Sequence, residues 1–205
     1  MRIPRGLILV LPAALTIASA GWAQYGFEAH GLGAFQFDGE ASAFGADQVK
    51  DGAGAGASFF FAFIPAVRVE VGADWIETKD QDLADSRIRI APLTAAVRGG
   101  YNWGDLYLYL GAGIGYSLNK LYPNGEAAGE YAALGLYDLG LSNDPIYFAL
   151  AGAEFAFSDR FGLRVEYRYN RLRTHITYQD WRGFEGKEKY NLDHQQIRAG
   201  LAVYF

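Results

Sequence analysis

The sequence predicts an all-β protein, an eight-stranded antiparallel up-and-down transmembrane β-barrel. Three observations predict this fold class. Apolar residues alternate with polar or small residues at period two in eight segments. The connections between these segments alternate between long and short, as in a barrel that runs up and down. Finally, large apolar side chains and charged side chains fall on opposite faces of the predicted strands.

The N-terminal residues 1–23 have a different character from the rest. Arg2 and Arg5 precede a short apolar run from Leu7 to Ile17, and the small residues of "ASAGWAQ" follow. This order is typical of a secretory signal peptide, and the run is too short for a spanning helix. We expect cleavage after Ala23, with Ala20 as the alternative, which leaves residues 24–205 as one β-barrel domain.

The eight predicted strands follow one another with the same alternation. In "AVRVEVGADWI", for example, Val67, Val69 and Val71 oppose Arg68 and Glu70. In chain order the segments are YGFEAHGLGAFQF, GASFFFAFIP, AVRVEVGADWI, PLTAAVRGGY, LYLYLGAGIGYSL, YFALAGAEFAF, LRVEYRY and IRAGLAVYF. With an even number of strands, both termini lie at the short-turn, periplasmic end.

The fourth segment is irregular. Ile88 and Ile90 stand at even positions, whereas Leu93 and Ala95 stand at odd positions, so the two pairs fall on opposite faces of a regular strand. Pro92 lies between the two pairs. A proline within a strand often marks a bulge or a sheet edge. We therefore expect an irregularity at Pro92.

The composition of the two faces decides which one meets water. The apolar faces carry more large side chains than an eight-stranded lumen can hold, which excludes a soluble lipocalin-like barrel. The other face carries small residues with five acids and five arginines, which indicates an interior where charges pair. The predicted lumen charge network is Glu28, Arg68, Glu70, Asp74, Arg98, Glu154, Arg164, Glu166, Arg168 and Arg198.

Aromatic residues are expected to form two girdles at the membrane interfaces. One girdle lies at the short-turn ends and the other near the long connections. The first consists of Phe63, Tyr101, Trp103, Phe157 and Phe205; the second consists of Phe37, Trp75, Tyr116, Tyr147 and Tyr169.

The last strand carries a recognisable ending. Ile197, Ala199, Leu201, Val203 and Phe205 form one alternating apolar series that stops on an aromatic residue. This ending resembles the C-terminal assembly signal of bacterial outer-membrane barrels. The segment "PLTAAVRGGYNWGDLYLYLGAGIGYSL" resembles the middle hairpin of the OmpA-like and OmpX-like eight-stranded family. The resemblance implies location in the outer membrane of a Gram-negative bacterium and recognition by the outer-membrane assembly machinery. No peptidoglycan-binding domain follows the barrel, so peptidoglycan anchoring is not expected.

The sequence offers little chemistry for an enzyme, a cofactor or a metal. The chain has no cysteine, and His30 and His194 are predicted to face the lumen as hydrogen-bonded structural residues. The "GAGIG" stretch imitates a phosphate loop, but it lies inside a strand with no helix after it, which excludes that function. A formal net charge of −5 argues against a nucleic-acid partner.

The outward-facing positions of the seventh segment continue past Tyr169 with Arg171, Arg173 and His175. This places them above the lipid band, where the phosphates of lipopolysaccharide lie, and Arg is well suited to phosphate. A solvated strand extension with no ligand is the alternative.

Two classes of function remain open. The first is a monomeric barrel with a closed lumen that acts in membrane integrity, or in surface interaction through long acidic loops. The second is a narrow channel for small or hydrophobic solutes. The balanced charge of the lumen favours the first, because a channel favours a stripe of one sign.

Overall fold

A computed structural model describes residues 24–38, 49–64, 66–80 and 86–205. The predicted signal peptide, residues 1–23, lies outside the described residues. The described chain contains ten strands and one helix. The elements are β1 (Gln24–Asp38), β2 (Gly52–Ile64), β3 (Val67–Asp80), β4 (Ser86–Trp103), β5 (Leu106–Tyr122), α1 (Gly125–Ala133), β6 (Leu136–Leu141), β7 (Asp144–Ala156), β8 (Phe161–Asp180), β9 (Glu185–Asn191) and β10 (Asp193–Tyr204).

Eight of these strands form a closed antiparallel barrel, which confirms the predicted fold class. The order is β1, β2, β3, β4, β5, β7, β8 and β10, and β10 pairs with both β8 and β1. At the closing seam Gly26 lies opposite Tyr204, and Gly33 lies opposite Ile197. Closure leaves no sheet edge in the spanning region.

The two ends of the barrel differ. At the lower end, defined here by the short turns, β4 and β5 are joined through Gly104, whose φ of 61° favours glycine. At the upper end, which carries the long connections, α1 and β6 lie between β5 and β7. Both β6 and β9 pair with the upper part of β8, so this 20-residue strand continues above the part that pairs with β7 and β10.

Within the described ranges, no helix has both the length and the hydropathy needed to cross a bilayer.

Nine of the ten predicted girdle residues are exposed on the outer face, and Phe37 is the exception. Phe37 is buried, and its ring stacks on His194 with 4.8 Å between the ring centroids. The cause is a register shift between Phe35 and Asp38, where Gln36 adopts a φ of 50°. The extra residue turns Phe37 inward, so its assignment to the upper girdle was wrong.

The interior has two zones of opposite character. The lower and middle barrel holds charged residues, as predicted from the alternation. The upper interior is apolar, and this was not predicted. We call this second zone the upper core; it consists of Leu32, Ala34, Phe37, Val49, Ile76, Ile88, Ile90, Leu121, Leu141, Ile146, Leu172, Ile176, Tyr190 and Leu192.

The upper core also explains the change of face along β4, and the expected irregularity at Pro92 is a gap in the pairing of β4 with β3. Leu93 pairs with Ala73 and Ile90 pairs with Ile76 in the same register, but β3 and β4 are not paired at Pro92 and Ala91 between them. Ile88 and Ile90 face inward and Leu93 faces outward along the same regular strand. The apolar side chains change from the outer to the inner face of the strand because the outer wall meets lipid below this level and water above it. Above the lipid, apolar side chains are therefore stabilised inside the barrel.

Candidate functional site: a charge network inside the barrel

All ten residues of the predicted lumen charge network lie inside the barrel and are buried. They come from strands β1, β3, β4, β7, β8 and β10, each from an inward-facing position. Arg98 and Arg164 are 1% exposed and Arg168 is 0% exposed. Because an unpaired buried charge costs several kcal/mol, the partners of these three guanidinium groups decide whether the lumen is stable.

Glu70 lies at the centre of the network. Its carboxylate pairs with Arg98, is 3.0 Å from Nη1 of Arg164 and is 2.8 Å from Nη2 of Arg168. Glu166 pairs with two of the same arginines, since Arg168 contacts it directly and Arg98 Nη2 lies 2.8 Å from its Oε2. The two carboxylates thus hold Arg98 and Arg168 from both sides.

Arg164 connects this centre to the lower end. It donates to Glu28 and, at 2.6 Å, to Oε2 of Glu154. Glu154 in turn accepts from Nη1 of Arg68 at 2.5 Å. Arg164 therefore has three acidic partners, Glu28, Glu70 and Glu154.

A histidine that was expected only to be a structural lumen residue joins the network. His30 Nε2 lies 2.8 Å from Oδ1 of Asp74, and His30 Nδ1 lies 3.3 Å from Oε1 of Glu28. Asp74 also pairs with Arg198. His30 therefore links the Asp74–Arg198 pair to Glu28 and Arg164, so all ten charges form one connected system. The inward parity of His30 was visible in the sequence, but its link to Asp74 on β3 was not.

Aromatic side chains fill the space between the charges. The hydroxyl of Tyr109 donates to Glu166 at 3.0 Å, and that of Tyr204 donates to Glu154 at 2.7 Å. The guanidinium carbon of Arg68 lies 4.1 Å from the ring centroid of Tyr107. These contacts satisfy polar atoms and add cation–π attraction inside the barrel. The sequence did not predict these hydrogen bonds of the tyrosine hydroxyls. Alternation places a tyrosine inside the barrel but does not indicate which carboxylate its hydroxyl contacts.

The glycines of "GAGIG" make room for the side chains of β7. A Cβ added to Gly113 would lie 2.2 Å from the ring of Phe148 and 2.5 Å from the carbonyl oxygen of Ala95. A Cβ on Gly111 would meet Leu150 at 3.0 Å, and one on Gly115 would meet Ile146 at the same distance. The motif therefore has a packing role in β5.

A cavity of about 320 Å³ opens at the lower end of the barrel. Its lining reaches Arg68, Glu154 and Tyr204, but of the described residues it does not include Arg98, Arg164 or Arg168. The cavity is a vestibule that ends below the centre of the network.

Of the other two histidines, His194 lies at the edge of this network, because Gln196, which contacts its Nε2, accepts from Nε of Arg198 at 3.3 Å. His194 Nδ1 is 2.7 Å from the carbonyl oxygen of Leu192, and its Nε2 is 2.9 Å from Nε2 of Gln196. His175 lies on the outer face, where Nδ1 is 3.8 Å from Oδ2 of Asp144. In the part of the chain that the structure describes, no three His, Cys, Asp or Glu residues are grouped as metal ligands.

The remaining predicted site residues lie on the outer wall. Arg171 and Arg173 are exposed on β8, where Arg171 pairs with Tyr147 and Arg173 pairs with Asn191. Ile197, Leu201 and Phe205 are also exposed, and Val203 is half-buried. The Phe205 amide donates to the carbonyl oxygen of Tyr25 at 2.9 Å, and the two rings stack 5.7 Å apart.

An apolar outer wall, aromatic residues at both interfaces and a charge-paired interior define a transmembrane β-barrel of the outer-membrane type. The chain belongs to the outer membrane protein beta-barrel domain family, whose model matches residues 6–205. The protein is therefore located in the outer membrane of a Gram-negative bacterium.

Several solved structures share this fold. OprG from Pseudomonas aeruginosa is 16% identical, with a TM-score of 0.67, and the match covers 90% of this chain and 96% of that chain. Outer Membrane Protein W from E. coli is 16% identical, with a TM-score of 0.58 and coverage of 91% and 100%. Neisserial surface protein A is 16% identical, with a TM-score of 0.55 and coverage of 89% and 99%. A comparison with curated proteins found no match.

Proposed function

We propose that this protein is a monomeric outer-membrane barrel with a closed lumen, which acts in membrane integrity or in surface interaction through its upper connections. The observation that carries the proposal is the burial of Arg98, Arg164 and Arg168 across the middle of the lumen, each with acidic partners. Such a network resists opening, because each broken pair leaves a charge without its partner. The proposed role is non-enzymatic.

A second barrier supports closure. Above the charge network, Ile76, Ile90 and Leu172 of the upper core are fully buried. Apolar packing excludes water and ions, so a solute that passed the charges would still meet a dry core.

The purified protein in a planar lipid bilayer is expected to show no stable single-channel current. The physical reason is that packed side chains fill the lumen above the lower vestibule, at the charge network and in the upper core. Arg98→Ala should admit small, irregular leaks, because it frees space and leaves Glu70 and Glu166 with one partner fewer. Arg160→Ala, at the exposed lower turn, is the matched control and should stay silent. Steady, reproducible channels from the wild-type protein would overturn the closed-lumen proposal and favour the narrow channel.

Lipopolysaccharide is the proposed partner of Arg171 and Arg173. Both side chains are exposed on the outer wall, and Lys187 and Lys189 are exposed on the adjacent β9. Arg171→Ala combined with Arg173→Ala should reduce the lipopolysaccharide that co-purifies with the barrel, because two phosphate-binding groups are lost. Phosphate assay of the purified protein measures this. Unchanged lipopolysaccharide in a normally folded double variant would leave the two arginines as a solvated strand extension.

The outer-membrane assembly machinery is the proposed partner of the C-terminal pattern. Phe205→Ala is expected to lower the yield of barrel in the outer membrane and to leave protein in the periplasm. Tyr25→Ala is the matched control, since it removes the ring that stacks on Phe205 but keeps the pattern Ile197, Leu201, Val203 and Phe205. Fractionation followed by gel migration with and without boiling measures both. Equal losses in the two variants would assign the effect to packing at the seam rather than to recognition.

A further inference from the structure

A groove lies on the outer wall near the upper interface, apart from Arg171 and Arg173, and its lining also includes Leu121 and Leu141 of the upper core. Its volume is about 500 Å³. The outward side chains of β3, β4 and β5 form one side, and the segment from Gly140 to Asn143 borders the other. Its lining residues include Trp75, Arg89, Leu118 and Lys120.

The groove carries two cations directly opposite each other. Arg89 on β4 pairs in register with Lys120 on β5, and both line the groove. Like charges opposite each other across strands are destabilising unless an anion lies between them. Glu77 offsets part of this charge, since its Oε1 lies 3.1 Å from Nη2 of Arg89. Among the described residues, Lys120 has no acidic partner within ion-pair distance.

Arg89 is held in a defined orientation. Its guanidinium carbon lies 3.9 Å from the ring centroid of Trp75, and its Nη1 donates to the hydroxyl of Tyr122 at 2.8 Å. A guanidinium that is already ordered loses less side-chain entropy when it binds a ligand. Stacking on Trp75 also leaves further N–H donors for a phosphate.

Apolar residues lie directly below the two cations. Leu118 pairs with Ala91 one step closer to the lipid, and Trp75 is 46% exposed on the neighbouring strand. A ligand that fits this surface has an anionic head and apolar chains. We propose that the groove binds a phosphate of a lipopolysaccharide molecule in the outer leaflet, with Arg89 and Lys120 on the phosphate and Trp75, Ala91 and Leu118 against the acyl chains. This site goes beyond the closed lumen, so its failure would leave the closed-lumen proposal standing.

The test uses barrel purified from the outer membrane and titrated with lipid A in native mass spectrometry. Bis-phosphorylated lipid A is compared with the same lipid after dephosphorylation, in the background of Arg171→Ala and Arg173→Ala so that the groove alone is measured. The parent should prefer the phosphorylated lipid by about tenfold or more. Arg89→Ala with Lys120→Ala should abolish this preference. Lys120→Ala alone, which preserves every contact of Arg89, should reduce it about fivefold.

The control removes the same number of charges elsewhere. Arg160→Ala with Arg182→Ala changes two exposed arginines outside the groove and should keep the full preference. Heat-modifiable gel migration shows whether each variant is folded. If the double variant that contains Arg89→Ala does not fold, Lys120→Ala alone tests the proposal. Retained preference in the groove variants, or equal loss in the control, would overturn the proposal. Competition by inorganic phosphate as effective as by lipid A would also overturn it, since the site would then bind free phosphate rather than a lipid.

Discussion

Arg164→Met is expected to lower the free energy of unfolding by about 3–5 kcal/mol. Arg164 pairs with Glu28, with Glu70 at 3.0 Å and with Glu154 at 2.6 Å. Methionine fills much of the same volume but leaves three buried carboxylates with fewer cations. The loss therefore reflects uncompensated charge more than lost packing.

Urea unfolding of the protein in lipid vesicles measures this effect. Arg160→Met is the matched control, because Arg160 is exposed at the lower turn of the same hairpin, and it should change the free energy by less than about 0.5 kcal/mol. Adding Glu28→Gln to Arg164→Met should recover part of the loss, since it removes one of the stranded charges. A loss below about 1 kcal/mol for Arg164→Met would contradict the central role assigned to this residue.

Leu172→Ala is expected to cost about 2–5 kcal/mol, because it opens a cavity in the upper core. Leu172 is 0% exposed and lies on β8 opposite Ile146, which belongs to the same core. The effect should be concentrated at the upper end, where β6 and β9 depend on β8 for their pairing.

Leu163→Ala provides a control on the same strand with the same change of side chain. Leu163 is 53% exposed on the outer wall, so its truncation leaves no internal cavity and should cost clearly less. Urea unfolding compares the two variants, and hydrogen exchange of β6 and β9 amides reports on the upper end. Equal losses, or unchanged exchange in Leu172→Ala, would show that the upper core does not hold the upper strands.

Much of the barrel follows from local alternation. The period of two assigns each side chain to one face, so Glu70, Arg98 and Arg164 could be placed inside from the sequence alone. The turns and the closing strand follow from the same pattern, because an open sheet edge is unfavourable in lipid. Phe37 was misplaced because one extra residue at Gln36 reverses the parity beyond it. Alternation alone does not reveal such a bulge.

The sequence by itself determined the number of barrel strands, the inward charges and the apolar wall, because these depend only on local alternation and on the exclusion of polar backbone from lipid. Only the tertiary structure decided which charges pair, because Arg164 meets Glu28 across 136 positions of the chain. It also decided that His30 reaches Asp74, and that Arg89 and Lys120 share one groove with Trp75. The upper core likewise depends on the tertiary structure. Ile88, Ile90 and Leu172 turn inward where the wall leaves the lipid, and the barrel brings them together with residues of β1, β3, β5 and β7 in one core.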